Sequence, residues 1–171
     1  MCIRDSYDRE PIKFGEIVNI DELLIHARNL IGSPYRWGGK TSYGFDCSGF
    51  VQTLFLLTGL LLPRDSWQQS EFFKDSQISA KNSKPGDLHF FGKKGEVSHV
   101  GFACGGYDFI HSQGYVKKES LDQNDPNFNK SLLDIYLSSY LSVYLPVYLP
   151  VYISVYLSTY LSICLPIYLS I

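Results

Sequence analysis

One cysteine, Cys47, stands at the boundary between a glycine-rich loop and an apolar segment with helical spacing. The apolar residues that follow it predict a helix whose first turn contains the cysteine. Backbone N–H groups in a first turn lack intrahelical partners, and the positive end of the helix dipole lies there, so a thiolate is favoured over a thiol. Cys47 is therefore predicted to be a nucleophile.

Two histidines lie on segments that are typical of neighbouring strands. Residues 97–103 and 107–111 flank the tripeptide 104–106, Cys-Gly-Gly, which suits a three-residue hairpin loop with glycine in the left-handed region. A loop of that length places His99 directly opposite His111 on the same face of the hairpin, whereas a two-residue loop would place them on opposite faces. The sequence therefore predicts a pair of adjacent histidines.

Three other side chains with reactive groups are given no catalytic role. Cys104 has no helix terminus or base beside it and is predicted to be an inert turn residue. His89 alternates with apolar neighbours in a predicted strand at 88–91, so it is expected to face solvent or a neighbouring element. His26 falls off the apolar stripe of the first predicted helix and is expected to be exposed.

The elements that position these residues can be predicted from the spacing of apolar residues and from residues that cap or end helices. A first helix, capped by Asp21, carries its apolar residues at helical spacing. They are Leu23, Leu24, Ala27, Leu30 and Ile31. Residues 32–40 combine glycines with two large aromatics, which suits a loop that walls a cleft. The cysteine helix is predicted to be almost wholly buried and to end at Gly59, and a short helix capped by Asp65 or Ser66 follows.

Composition restricts the functional classes. The 171 residues are 45% apolar and 19% charged, which predicts one globular domain. A net charge of −2 without basic runs argues against nucleic acid and against an anionic membrane surface as partners. The four cysteines lack zinc-site or disulfide-framework spacing, so no metal or cofactor is predicted. No signal peptide is recognisable at the N-terminus, and the sequence leaves the oligomeric state open.

The last fifth of the chain is a four-residue repeat. Nine units related to Tyr-Leu-Ser-Ile fill residues 136–171, and each variant is one base change from a repeated TATC tetranucleotide. Prolines interrupt any helical run, so a β-prone, aggregation-liable segment is expected if it is made, with a membrane-associating tail as the alternative. The predicted organisation is a linker at 1–17, a catalytic domain at 18–135, and a repeat at 136–171 that is not a folded domain.

Several blocks together resemble the NlpC family of bacterial cell-wall peptidases, also called the p-sixty type. The resemblance covers roughly residues 20–121 with every block in order. The blocks are Pro34-Tyr35-x-Trp37-Gly38-Gly39, 44–52 (GFDCSGFVQ), Leu62-Pro63-Arg64-x-Ser66-x-x-Gln69, 85–91 (PGDLHFF), Ser98-His99-Val100-Gly101 and Ile110-His111-Ser112-x-Gly114. It implies an α+β, papain-like fold in which a cysteine-bearing helix packs on an antiparallel β-sheet.

The resemblance also implies roles for particular residues. Cys47 would be the nucleophile, His99 the general base and acid, and His111 the polar residue that orients the imidazole. Asp46 and Ser48 match substrate-binding positions, with Asp46 suited to a free amino group. Tyr35, with the backbone N–H of Cys47, would stabilise an oxyanion.

The expected reaction is hydrolysis of peptidoglycan stem peptides at the bond between γ-D-glutamate and a diamino acid, in the cell envelope, periplasm or extracellular space. A papain-like amidase and an inactive wall-binding module are the alternatives. Two departures from the family pattern stand out. Members of the family often carry β-barrel modules upstream, where this sequence shows a short linker, and the closing segment expected from near Asn127 is overwritten by the repeat.

Overall fold

A computed structural model describes residues 19–140, so the predicted linker and most of the repeat lie outside the described residues. The first helix, α1, spans Ile20–Asn29 and begins two residues earlier than its predicted cap implies. Asn19, not Asp21, is the N-cap, because its side chain accepts a hydrogen bond from the backbone N–H of Glu22. Leu23, Leu24 and Ala27 are buried as predicted, whereas Ile31 lies beyond the helix and is exposed.

The cysteine helix has the predicted bounds and environment. Two short strands, β1 (Lys40–Thr41) and β2 (Gly44–Phe45), pair with each other just before it. The helix α2 spans Cys47–Leu57, is capped by Asp46, and buries nearly every side chain in its first two turns. Helix α3 (Ser66–Phe72) follows with Asp65 as its N-cap.

The remaining elements build one antiparallel sheet. They are β3 (Gln77–Ile78), β4 (Pro85–Lys93), β5 (Glu96–Gly105), β6 (Asp108–Gln113), β7 (Tyr115–Ser120), α4 (Lys130–Leu133) and β8 (Tyr136–Tyr140). The six strands lie in the order β3-β8-β4-β5-β6-β7. The predicted α+β class, with a cysteine helix on an antiparallel sheet, is confirmed.

Both faces of the sheet are covered. The larger core lies between the sheet and α1 and α2, and it contains Phe50, Leu54, Phe90 and Phe102 with other buried side chains. A smaller cluster on Phe91 and the residues around it fills the opposite face beneath α4. Strand β4 is therefore buried along almost its whole length.

The predicted register of the histidine hairpin is wrong by two residues. The turn residues are Gly106 and Tyr107, flanked by the pair Gly105 and Asp108, and a one-residue bulge at Cys104 then brings Ala103 opposite Phe109. Continuing this register places His111 beyond Ile110 and diagonal to His99 rather than directly opposite. A shift of two residues keeps the same face, so the two imidazoles are still neighbours.

The sheet extends past the predicted domain boundary at residue 135. The first five residues of the repeat, Tyr136–Tyr140, form β8 and pair with both β3 and β4. The overwritten closing segment is thus still a strand. Alternation places Ser139 inside, where its hydroxyl lies 2.5 Å from Nδ1 of the buried His89. Residues 141–171, the rest of the repeat, lie outside the described part of the chain.

Within residues 19–140, no helix combines the length and apolar character needed to cross a membrane.

Candidate active site

Cys47 is the first residue of α2, where the sequence placed it. Its position is fixed from several sides. The hydroxyl of Ser112 on β6 donates a 2.7 Å hydrogen bond to the carbonyl of Phe45, two residues before the cysteine. The buried amide of Gln69 donates a 3.1 Å hydrogen bond to the carbonyl of Ser48, one residue after it. The start of α2 is therefore held to both the sheet and α3.

The thiol of Cys47 does not have the lowered pKa that the helix terminus predicts. Burial raises its pKa and the Asp46 carboxylate adds to this, whereas the backbone N–H groups of Val100, Ser48 and Cys47 favour the thiolate. The burial effect is the largest of these. A reaction at Cys47 must therefore begin with transfer of the thiol proton to a base.

His99 lies on β5, immediately before Val100, whose backbone N–H reaches the Cys47 thiol. Both Cys47 and His99 line one cleft of about 900 Å³. Burial lowers the pKa of His99, and the neighbouring His111 lowers it further. The imidazole is neutral at physiological pH and can accept a proton from a thiol.

His111 lies beneath His99 and is fully buried. Nε2 of His99 is 2.7 Å from Nδ1 of His111, and the two rings meet edge to face with centroids 5.0 Å apart. This contact leaves Nδ1 of His99 as the ring nitrogen available to the cleft. The arrangement can hold one imidazole in a fixed orientation beside a thiol.

The loop at 32–40 forms one wall of the cleft and is tied to Asp46. The backbone N–H of Gly38 donates to Oδ2 of Asp46 at 2.8 Å, and Gly49 N–H donates to Oδ1 at 2.7 Å. Gly38 adopts φ of +77°, a conformation that L side chains rarely adopt. The same loop presents Tyr35 and Trp37 to the cleft, and Trp37 is 87% exposed.

Arg64, to which the sequence analysis gave no individual role, lies beside this wall. Its guanidinium forms an ion pair with Asp46 and donates a 3.0 Å hydrogen bond to the hydroxyl of Ser48. Burial would raise the pKa of Asp46, but Arg64 and the two backbone donors lower it below its usual value. The Leu62-Pro63-Arg64 block is the sequence signal that singles out Arg64, but it does not indicate that Asp46 is its partner.

Tyr35, Asp46 and Ser48 all line the cleft with Cys47. Burial raises the pKa of Tyr35, and the nearby Cys47 and Asp46 raise it further, so its phenol remains a hydrogen-bond donor. Asp46 and Ser48 are almost fully buried. Their polar atoms already bond to Arg64 and to each other.

Sequence reasoning missed Glu119 on β7. Its Oε2 lies 2.8 Å from Nε2 of His111 and accepts a 2.7 Å hydrogen bond from the side chain of Asn129. Its Oε1 pairs with Lys117 at 2.8 Å. The run Lys117-Lys118-Glu119 is typical of a solvated strand face, so no local pattern distinguishes this carboxylate.

Two reactive groups lie away from the cleft. His89 is fully buried and faces the neighbouring β8, in line with the expectation that it contacts an adjacent element. Cys104 lies in β5 rather than in a turn, and burial raises its pKa to about 11. Within the described residues 19–140, no group of three or more His, Cys, Asp or Glu side chains is placed to hold a metal ion.

The profile of the NlpC/P60 family matches residues 32–135. The chain belongs to the NlpC/P60 family. The predicted resemblance is therefore confirmed, over a region that contains Cys47, His99 and His111.

Relatives with similar sequences include proteins of Enterococcus faecium and Bacillus cereus. Protein P54 of Enterococcus faecium is 37% identical over 121 residues, which is 67% of this chain and 23% of that protein. The γ-D-glutamyl-L-lysine dipeptidyl-peptidase of Bacillus cereus is 38% identical over 112 residues, 63% of this chain and 33% of that protein. The chain thus spans a third or less of the length of these two relatives.

Solved NlpC/P60 structures share the fold. The NlpC/p60 domain of the peptidoglycan hydrolase SagA superposes with a TM-score of 0.59 at 32% identity, covering 72% of this chain and 99% of that one. An NlpC/P60 family protein from Bacillus cereus gives a TM-score of 0.62 at 30% identity, covering 76% and 41%.

Proposed function

We propose that this chain is a cysteine endopeptidase that hydrolyses peptidoglycan stem peptides between γ-D-glutamate and a diamino acid. The observation that carries the proposal is the cleft of an NlpC/P60 domain, which a helix-start cysteine and His99 both line, with His111 buried behind His99 and in contact with it. The Bacillus cereus relative is named for γ-D-glutamyl-L-lysine cleavage and SagA for peptidoglycan hydrolysis, which supports the same substrate class. The site of action would be the cell envelope, the periplasm or the extracellular space.

The proposed reaction begins from a neutral thiol and a neutral imidazole. Nδ1 of His99 takes the thiol proton while Sγ of Cys47 attacks the carbonyl carbon of the scissile amide. The oxyanion accepts hydrogen bonds from the backbone N–H of Cys47 and the phenol of Tyr35. His99 then returns the proton to the leaving amine, which leaves a thioester, and a water molecule activated by His99 hydrolyses it.

Peptide binding is assigned to the Asp46 and Ser48 side of the cleft. Asp46 was predicted to suit a free amino group, and its carboxylate already accepts hydrogen bonds from two backbone N–H groups and pairs with Arg64. We therefore propose that an amino group binds Asp46 by sharing an oxygen with Arg64, and that Ser48 contributes a second polar contact.

Turnover of L-Ala-γ-D-Glu-diaminopimelate tests this function directly. Release of diaminopimelate is expected from the full chain and from Cys104→Ala, which removes the other half-buried free cysteine in the described region. No release is expected from Cys47→Ala. A folded protein that releases no diaminopimelate would exclude the peptidase.

Two further measurements separate the alternatives. Mass spectrometry of digested muropeptides distinguishes an amidase, which cuts the bond between sugar and peptide, from a peptidase. Alkylation by iodoacetamide addresses an inactive wall-binding module. We expect Cys47 to react faster than Cys104, and equal rates would favour the binding module.

A further inference from the structure

Glu119 sits at the centre of a set of hydrogen-bond donors behind the histidine pair. Its side chain is 16% exposed, and three donors converge on it: His111, Lys117 and Asn129. Burial would raise the pKa of this carboxyl, but these three contacts lower it to about 2. The group is ionised throughout the neutral range and can only accept hydrogen bonds.

An acceptor-only carboxylate determines where the protons on both imidazoles lie. Nε2 of His111, 2.8 Å from Glu119, must carry a proton, so Nδ1 of the neutral ring is an acceptor. His99 approaches that Nδ1 with its own Nε2 at 2.7 Å and must donate to it. Nδ1 of neutral His99 is then unprotonated, on a residue that lines the cleft.

We propose that Glu119 is a positioning residue that fixes the Nε2–H tautomer of His111 and, through it, leaves Nδ1 of His99 free to accept the thiol proton of Cys47. The inference rests on the proposed roles of Cys47 and His99. Glu119 becomes a fourth member of the expected arrangement of Cys47, His99 and His111. It contacts His111 diagonally across β6 and β7, because Glu119 pairs with Phe109, which lies two residues from His111 on the same face.

The surroundings of Glu119 explain why an amide cannot replace the carboxylate. In Glu119→Gln, an amide oxygen facing His111 and Asn129 would place the NH2 group against the ammonium of Lys117. The opposite orientation would place the NH2 group against the donors of His111 and Asn129. Nε2 of His111 would then lose its acceptor, which favours the Nδ1–H tautomer and reverses both hydrogen bonds of the pair.

The decisive measurement is the tautomer of each imidazole in the full chain, read from long-range ¹H–¹⁵N correlation spectra. The chain contains four histidines, so assignment by single substitution is practical. We expect His99 and His111 to be Nε2–H in the unmodified protein at pH 7, and Nδ1–H forms to become populated in Glu119→Gln. An Nδ1–H His111 in the unmodified protein overturns the proposal, even if the variant does not fold.

Kinetics provide a second readout. Glu119→Gln is expected to lower kcat by about 100-fold with KM changed less than twofold, because the tautomer affects chemistry and not binding. Asp108→Asn is the matched control: it breaks the 2.7 Å Lys118–Asp108 ion pair across the same two strands without touching either histidine. Equal losses in both variants would indicate a merely structural role and overturn the proposal.

The two proposals fail in different ways. If the unmodified protein shows the expected tautomers but releases no diaminopimelate, the proposed peptidase function is wrong and the positioning role of Glu119 stands. If the unmodified protein is active and Glu119→Gln keeps both tautomers and its kcat, the positioning role is wrong and the peptidase function stands.

Discussion

Arg64 shows how much of the cleft depends on one cation. Its guanidinium is the side-chain partner of the Asp46 carboxylate, which also caps α2 directly before Cys47. Removing one member of a partly buried charge pair leaves the other without compensation, and this costs more than the net value of the pair. The position of Cys47 therefore depends on Arg64, which lies 17 residues away in sequence.

Arg64→Met is expected to lower the free energy of unfolding by about 1–3 kcal/mol and to reduce kcat/KM by at least about tenfold. Urea unfolding and diaminopimelate release measure the two effects. Lys74→Met is the control, since it breaks an exposed ion pair with Glu71 and should leave both quantities unchanged. An Arg64→Met protein with the stability of the unmodified chain would show that Asp46 needs only its backbone donors.

The three residues proposed for the chemistry were recognisable from the sequence, while their supporting residues were not. Cys47, His99 and His111 stand in blocks whose order and spacing are specific. Glu119 and Asn129 acquire their contacts only through the pairing of β6 with β7 and the chain that returns beside it. A charged residue in a polar strand carries no sign of such a partner before the register is known.

At the scale of elements, the parity of a strand was easier to predict than its register. The hairpin loop was expected to hold three residues, but the turn holds two, and this turn together with the one-residue bulge at Cys104 moves the pairing by two. Because side chains alternate with a period of two, the error left both histidines on one face. Sequence composition does not distinguish a glycine in a loop from a glycine in a bulge, and both Gly105 and Gly106 have positive φ.

Gly49 marks the closest approach between α2 and the loop that walls the cleft. A Cβ built at Gly49 would lie 2.3 Å from the carbonyl oxygen of Gly39 and 2.8 Å from Oδ1 of Asp46. Glycine-to-alanine changes inside helices ordinarily stabilise by about 1 kcal/mol. Here the contact is with backbone, so the loop or the helix must move.

Gly49→Ala is therefore expected to destabilise the protein by about 1–3 kcal/mol and to lower activity, because the displacement reaches Asp46 and Cys47. Chemical denaturation and peptide turnover measure both effects. Ile25→Ala, on the exposed side of α1, controls for helix propensity and should be neutral or slightly stabilising. A more stable Gly49→Ala protein would contradict the close packing.

At the scale of the whole molecule, buried neutral histidines make stability depend on pH. Burial lowers the pKa of His89 to about 4, and burial also lowers the pKa of His111 and His99. The unfolded chain binds protons on these groups near pH 6.5, whereas the folded chain does not. Stability is therefore fully present above pH 6.5 and is lost as the pH falls toward the folded-state pKa values.

His99 is only half-buried at the cleft wall, so the size of the loss in stability is best judged from His89 alone. His89 should account for about 2 kcal/mol of lost unfolding free energy between pH 7 and pH 5. Urea titrations across this range avoid the window of Glu119, whose lowered pKa affects stability only below about pH 4.5. His89→Asn should be less stable at pH 7 and show a shallower pH dependence, and an unchanged slope would contradict the assignment.

The strand β8 is an element that the sequence did not indicate. Chain order suggested a domain that ends at residue 135, because a low-complexity repeat gives no sign of tertiary packing. Yet its first unit supplies β8, which separates β3 from β4 and places Ser139 against His89. Every later unit except the one ending in Thr159 replaces that serine with a residue lacking a hydroxyl. The first unit therefore fits the buried imidazole in a way that most others do not.

Truncation tests whether the domain ends at residue 140 rather than at 135. A chain ending at Tyr140 keeps β8 and should unfold cooperatively with the same urea midpoint as the full chain. A chain ending at Ile135 exposes the edge of β4 and leaves Nδ1 of buried His89 without the Ser139 hydroxyl, at a cost of about 1–3 kcal/mol for that contact alone. We expect this shorter chain to lose its cooperative transition and to aggregate, as followed by circular dichroism and light scattering. Equal stability of the two truncated chains would restore the domain boundary at 135. If the chain ending at Tyr140 has a lower urea midpoint than the full chain, the later repeat units belong to the folded domain.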